Sequence, residues 1–232
     1  MANNKGNSLI FYMFELNTSC RAVYILIEEL NIEATIQKID MRKGEHLTDD
    51  FKQISPLGQL PVMIDNGLKL SESSAILCYL VEQYGNEEQQ NKLMGINDIK
   101  IRAKIQMALY FNVSRFYKPV ADWLRPQIFR GSRPTEGECL KLKEALRQLN
   151  SLIKSYSKYV AGSDEPTVAD IALFSSVSFL QVLNYNLLQY NSLWNWLKRL
   201  KKSSLELPIG KSLISLQEWQ EELNAKSNEN DC

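Results

Sequence analysis

Apolar residues change their period once along this 232-residue chain, and that change fixes what it can fold into. Up to about Tyr84 they come in short runs of two kinds. Leu9 to Phe14 (LIFYMF) is a continuous apolar run, which suits a strand covered on both faces. Val23, Ile27 and Leu30 then recur at helical spacing, with Glu28 and Glu29 on the other side. Glu33 to Asp40 (EATIQKID) alternates apolar and polar side chains, as a second strand would. LPVMID and LKL flank Asn66-Gly67, a two-residue hairpin signal, and Ser73 to Tyr84 reads as a helix. The order is βαβ, a short helical connection, then ββα, with the last two strands antiparallel.

After Tyr84 the strands stop. A polar linker over 85–97 (GNEEQQNK at its start) leads into segments with helical periodicity only: Asp98 to Val120, Thr135 to Tyr156, Thr167 to Leu180 and Leu193 to Lys202. Thr167-Val168-Ala169-Asp170 has the spacing of a capping box. The last residues are polar and predict a disordered tail from about 225. Two domains result: an α/β unit over 1–84 and an all-helical unit over 98–232.

Charge and cysteine content narrow the function. Lys+Arg and Asp+Glu are both 27, so no net positive field draws nucleic acid. Cys20, Cys78, Cys139 and Cys232 show neither CxxC nor Cys/His spacing, which argues against a metal site and a disulfide framework. His46 is the only histidine, so a two-histidine metal site cannot be assembled within one chain. The start, MANNKGNSLI, is polar, and no run reaches the ~18 apolar residues of a membrane span. A reduced cytoplasmic protein with no membrane contact is expected.

One bend concentrates short polar side chains: Asn17, Thr18, Ser19 and Cys20, between the first strand and the first helix. Helix capping explains them without chemistry. Their surroundings carry more. GEHL (Gly44 to Leu47), LPVM after a Ser-Pro loop, ESSAI (Glu72 to Ile76), ALYFN (Ala108 to Asn112) and TVADIAL (Thr167 to Leu173) stand in the order and spacing of the cytosolic glutathione transferases. From Leu9 to about Leu223 the chain resembles the insect delta/epsilon type.

The resemblance implies a thioredoxin-like N-terminal domain that binds reduced glutathione as co-substrate, with no permanently bound cofactor, and a helical domain that binds a small hydrophobic electrophile. It also implies a homodimer and a role in detoxification. His46, Gln59, Leu60, Pro61, Glu72 and Ser73 fall on glutathione-binding positions, with Pro61 cis and His46 directed at the glycine end. Tyr110, Ser114, Tyr117, Val120, Leu124 and Phe129 fall on the stretch that lines the electrophile pocket. Tyr110, Ser114 and Tyr117 also share one face of a regular helix. Arg125 stands at an often aromatic position.

The chain departs from the pattern where it matters. Asn17 takes the place of the catalytic serine, Ser19 that of a proline, Gly58 that of a second histidine, and Ser74 that of an arginine. An asparagine amide donates to a thiolate but is no base, and a shifted loop would bring Thr18 or Ser19 to the sulfur instead. Cys20 would imply thiol-disulfide exchange, although a buried cysteine fits the place as well. Tyr12 lies within the strand and reads as support. Two functions follow: a transferase, or a glutathione-liganded carrier that has lost its activating hydroxyl.

Overall fold

The computed structural model describes residues 9–156 and 158–230, with side chains through Glu222. The polar start through Ser8 lies outside the described residues, as do Asp231 and Cys232. Strand β1 (Leu9–Met13) is central in a four-stranded sheet of order β2-β1-β3-β4. It buries Leu9, Phe11 and Met13 completely and covers Ile10 and Tyr12 in part, as its continuous apolar sequence requires. Helix α1 (Thr18–Glu29) crosses to the parallel strand β2 (Thr35–Lys38). Two short 3-10 turns and α2 (Asp49–Ile54) lead to β3 (Val62–Asp65), antiparallel to β1. At the hairpin to β4 (Leu68–Ser71), Asn66 and Gly67 both have positive φ (47° and 92°), which is what a primed turn demands. Helix α3 (Ser73–Tyr84) closes the βαβαββα unit.

The expected linker is itself partly helical. Asn86 and Gln89 form a capping box that starts α4 (Glu87–Met94), and Leu93 and Met94 pack into the core. Helices α5 (Ile99–Phe111) and α6 (Tyr117–Arg130) run on as one rod joined by a single π turn, Asn112–Phe116. The wide turn ends three residues before Pro119, which has no N–H to return to a carbonyl one turn back. Helix α7 (Glu136–Tyr156) follows, then α8 (Val168–Val182), buried on all sides through Leu180 and packed on α1.

Helices α9 (Asn191–Leu200) and α10 (Glu206–Asn230) complete the domain. No helix was expected over most of α10. It runs through the stretch from 225 where the composition predicts a loose end, because extending a formed helix is easy compared with starting one.

α10 also joins the halves. Arg21 of α1, 1% exposed, donates to the carbonyls of Ser175 (2.8 Å) and Ser212 (3.1 Å) and to the hydroxyl of Ser178 (3.1 Å). These partners are neutral, so burial without a carboxylate pulls its guanidinium down to about 9. The two domains are therefore fixed against each other beside the bend. No helix among the described residues is long and apolar enough to cross a membrane.

Candidate active site

Asn17 is the N-cap of α1, and its two ends do different things. Oδ1 accepts from the backbone N–H of Ser19 (2.8 Å) and of Cys20 (3.2 Å), two of the amides a helix start leaves unpaired. Two donors on one atom fix which end of the amide is oxygen. Nδ2 is thereby turned the other way, toward the Leu60 carbonyl at 3.5 Å, a distance too long to hold it firmly. The NH2 group keeps donor capacity for a ligand.

The other bend residues are accounted for differently. Thr18 is 4% exposed and sits in the floor beneath Asn17. Ser19 is half-buried, and its hydroxyl lowers the titration of Tyr117 across the domain boundary, the two side chains lining one cavity. Cys20 is sealed, and burial pushes its thiol up to about 12. A thiol that stays protonated and enclosed does no disulfide exchange, so that reading falls. Tyr12 packs edge-on against Phe51, as support.

Around the bend lies a cavity of about 270 Å³. Asn17, Ser19, Gln59, Leu60, Pro61, Glu72 and Ser73 line it, so seven of the residues expected near glutathione share one wall. The Leu60–Pro61 bond is cis. Gln59 is exposed, its backbone held by Ser55 Oγ at 3.0 Å on both N–H and carbonyl. Glu72 precedes α3 at φ 67°, a conformation L residues adopt rarely, and leaves the first amides of that helix facing the cavity.

His46 is absent from this wall. It sits in the turn Glu45–Leu47 with Nδ1 enclosed and unpartnered. The reason lies at Gly58, with φ 59°: a Cβ there would stand 2.8 Å from the His46 carbonyl oxygen. Glycine at 58 lets the backbone of the 44–47 loop close against its neighbour. Ser74, where an arginine was expected, has its Oγ enclosed as well.

A second, smaller cavity of about 110 Å³ adjoins the first. Tyr117, Leu124 and Phe129 line it as expected, with Phe14, Leu16, Met41, Ala121 and Ile128 supplying further apolar surface. Tyr110, Ser114 and Val120 do not. Tyr110 is 75% exposed, Ser114 donates back to the Tyr110 carbonyl (2.7 Å), and Val120 is enclosed in the core. The π turn explains the correction: one extra residue rotates everything beyond it by about 100°, so the face expected from Tyr110 to Tyr117 is broken. Sequence reasoning missed Asn112 and Val113, which that turn brings to the first cavity. Phe14 and Met41 were missed because they come from the other domain.

The chain matches the family model of the glutathione S-transferase N-terminal domain over residues 9–82 and that of the C-terminal domain over residues 132–199. Among solved structures, a delta-class glutathione transferase of Nilaparvata lugens is 27% identical, with a TM-score of 0.80 over 93% of this chain and 99% of that one. A Bombyx mori glutathione transferase is also 27% identical, with a TM-score of 0.82 over 94% and 97%. Human glutathione transferase theta-2, solved with glutathione and an unknown ligand, reaches a TM-score of 0.84 over 94% and 91%; at 23% identity that likeness speaks to the fold alone.

Proposed function

Because this chain belongs to the glutathione transferase family, we propose that it joins the sulfur of reduced glutathione to small apolar electrophiles, with an asparagine amide in place of a hydroxyl at the thiolate. The observation that carries this reading is the divided side chain of Asn17, whose oxygen caps α1 while its NH2 stays turned toward the cavity. A free thiol titrates near ~8.5 and is only a few per cent ionised at neutral pH. Lowering it by two units takes about 2.7 kcal/mol of preference for the anion. A charge-assisted bond from Nδ2, together with the positive end of α1, is of that size.

Glu72 and Ser73 suit the γ-glutamyl end: a carboxylate for its ammonium, and unpaired helix amides for its carboxylate. Gln59 and the Leu60 backbone suit the middle of the tripeptide. With the thiolate held beside the apolar cavity, its electron pair forms a C–S bond to the electrophilic carbon. The leaving group departs with the broken bond's pair, or in a conjugate addition that pair moves to the acceptor oxygen. Proximity supplies much of the acceleration.

The homodimer implied by the resemblance suits α5 and the π turn that follows it, where Ile99, Met107, Tyr110 and Val113 expose apolar surface. Sedimentation reads that state directly. A cytoplasmic setting, where glutathione is reduced, matches the reading too.

The test is a titration. Glutathione bound to the wild type is followed by thiolate absorbance near 240 nm against pH, and again with Asn17→Ala. The wild type lowers the thiol pKa by roughly two units and the variant returns most of it. If glutathione binds but titrates as it does in water, the protein is a carrier and the transferase reading is wrong.

A further inference from the structure

The reacting sulfur must touch both cavities, since glutathione occupies one and the electrophile the other. Four residues line both: Asn17, Met41, Tyr117 and Arg125. Met41 has no hydrogen to donate. Arg125 is exposed, its guanidinium 3.7 Å from Asp122 and largely in solvent. What remains is Asn17 from the α/β domain and, facing it across the domain boundary, Tyr117 at the start of α6.

Building on the transferase reading, we propose that the Tyr117 hydroxyl is a second donor to the glutathione sulfur, opposite Asn17, and that Ser19 is the positioning residue that aims it. The phenol oxygen has one hydrogen and two acceptor sites. Ser19 and Tyr117 line the same cavity, and in the proposed arrangement Ser19 gives its hydrogen to the phenol oxygen, in keeping with its lowering of the phenol's pKa, so that the Tyr117 hydrogen is left for the sulfur. Burial outweighs this and raises the phenol overall, so Tyr117 stays protonated throughout the range in which a transferase works. The charged and titratable neighbours around it are Cys20, Glu72 and Arg125.

The chain's architecture accounts for both roles. The π turn rotates Tyr117 inward while Tyr110 and Ser114 face out, and such single wide turns frequently mark functional sites. Ser19 occupies the place where the resemblance expects a proline, which would bring no hydroxyl. Two departures from the family pattern thus combine: the hydroxyl missing at 17 is supplied from the other domain, and the serine at 19 holds it.

The experiment compares wild type, Tyr117→Phe, Ser19→Ala and Ser19→Thr by the same thiolate titration, each blanked against its S-methylglutathione complex to remove phenolate absorbance. Tyr117→Phe raises the bound thiol pKa by about one unit, a tenfold loss of thiolate below the pKa. It leaves affinity for S-methylglutathione, which has no thiol, within about threefold of the wild type, a change of under 1 kcal/mol. Ser19→Ala gives a smaller rise and Ser19→Thr restores the wild-type value. A wild type with a lowered thiol pKa that Tyr117→Phe leaves unchanged overturns this proposal alone. A loss of S-methylglutathione binding as large as the loss of thiolate reduces Tyr117 to cavity wall and overturns it too. A wild type whose bound thiol titrates as in water removes both the proposal and the reading beneath it.

Discussion

Two helix starts in this protein use the same device and end in opposite conditions. At α1, the Asn17 oxygen accepts two backbone amides, and the rest of its side chain borders a cavity. At α8, Thr167 and Asp170 form a capping box that is completely buried. The Asp170 carboxylate accepts from the Thr167 N–H (3.0 Å) and hydroxyl (2.8 Å), the Val160 N–H (3.1 Å) and the Trp196 indole (2.8 Å). Desolvation still raises its pKa against these four donors. The short polar residue before a helical run is alike in both places. One cap is saturated and ties three segments of the helical domain together; the other has donor capacity left over beside empty volume. Capping and chemistry are thus separated by what surrounds the cap, and at Asn17 they share one side chain.

The largest effect that sharpens this contrast is on stability. Asp170→Ala strands three or more buried donors, and urea unfolding should show a loss of about 3–5 kcal/mol. Asn17→Ala removes an ordinary cap and should lose only about 1 kcal/mol. Equal losses would break the distinction, because Asn17 would then be structural in the same sense as Asp170.

The next effect is on activity. Asn17→Asp keeps an oxygen for the Ser19 and Cys20 amides and places negative charge at a helix N-terminus, where it is welcome. It replaces the NH2 by a second acceptor, so the thiolate meets a like charge. Stability should stay within about 1 kcal/mol of the wild type while kcat/KM with glutathione falls about 100-fold, some 2.7 kcal/mol of transition-state stabilisation. A fully active Asn17→Asp would show that the amide hydrogens face nothing that matters.

The sequence made the order of elements and most helices legible because their signals are local: the LIFYMF run, the Asn66-Gly67 turn and the Thr167 capping box each specify a few neighbouring residues. Seven residues that line the larger cavity were legible as neighbours for the same reason, since they sit at element ends whose spacing the motifs fix. The smaller cavity was half legible. Three of its six expected residues depend on helix phase across Asn112–Phe116, and a single π turn changes that phase without a clear mark in the residues. Pro119 just beyond it was the available hint. Helix α10 went unread because Pro208 and Gly210 mask its start, although Ile209, Leu216 and Trp219 recur at helical spacing and are all buried. His46 shows the remaining limit: the placement of its backbone depends on what Gly58 lacks, twelve positions away.

The smallest effect tests how sharply the open part of the bend ends. Cys20 lies three residues from Asn17 yet keeps its proton to about 12, whereas an unfolded thiol ionises near ~8.5. Between those values the folded state holds more protons than the unfolded one. Stability from this group is therefore fully present below about pH 8.5 and falls as pH rises above it, by at most about 1.4 kcal/mol per unit. Cys20→Ala abolishes that slope while leaving the contribution of Cys78, raised to about 11 by its own burial, in both proteins. Urea midpoints at pH 7.5 and pH 9.5 should accordingly show the wild type losing roughly 1 kcal/mol more than the variant over this interval. If the two proteins lose stability in parallel, the thiol is open to solvent, the wall between cavity and core does not lie between Ser19 and Cys20, and the inner limit of the open part of the bend has to move inward with it.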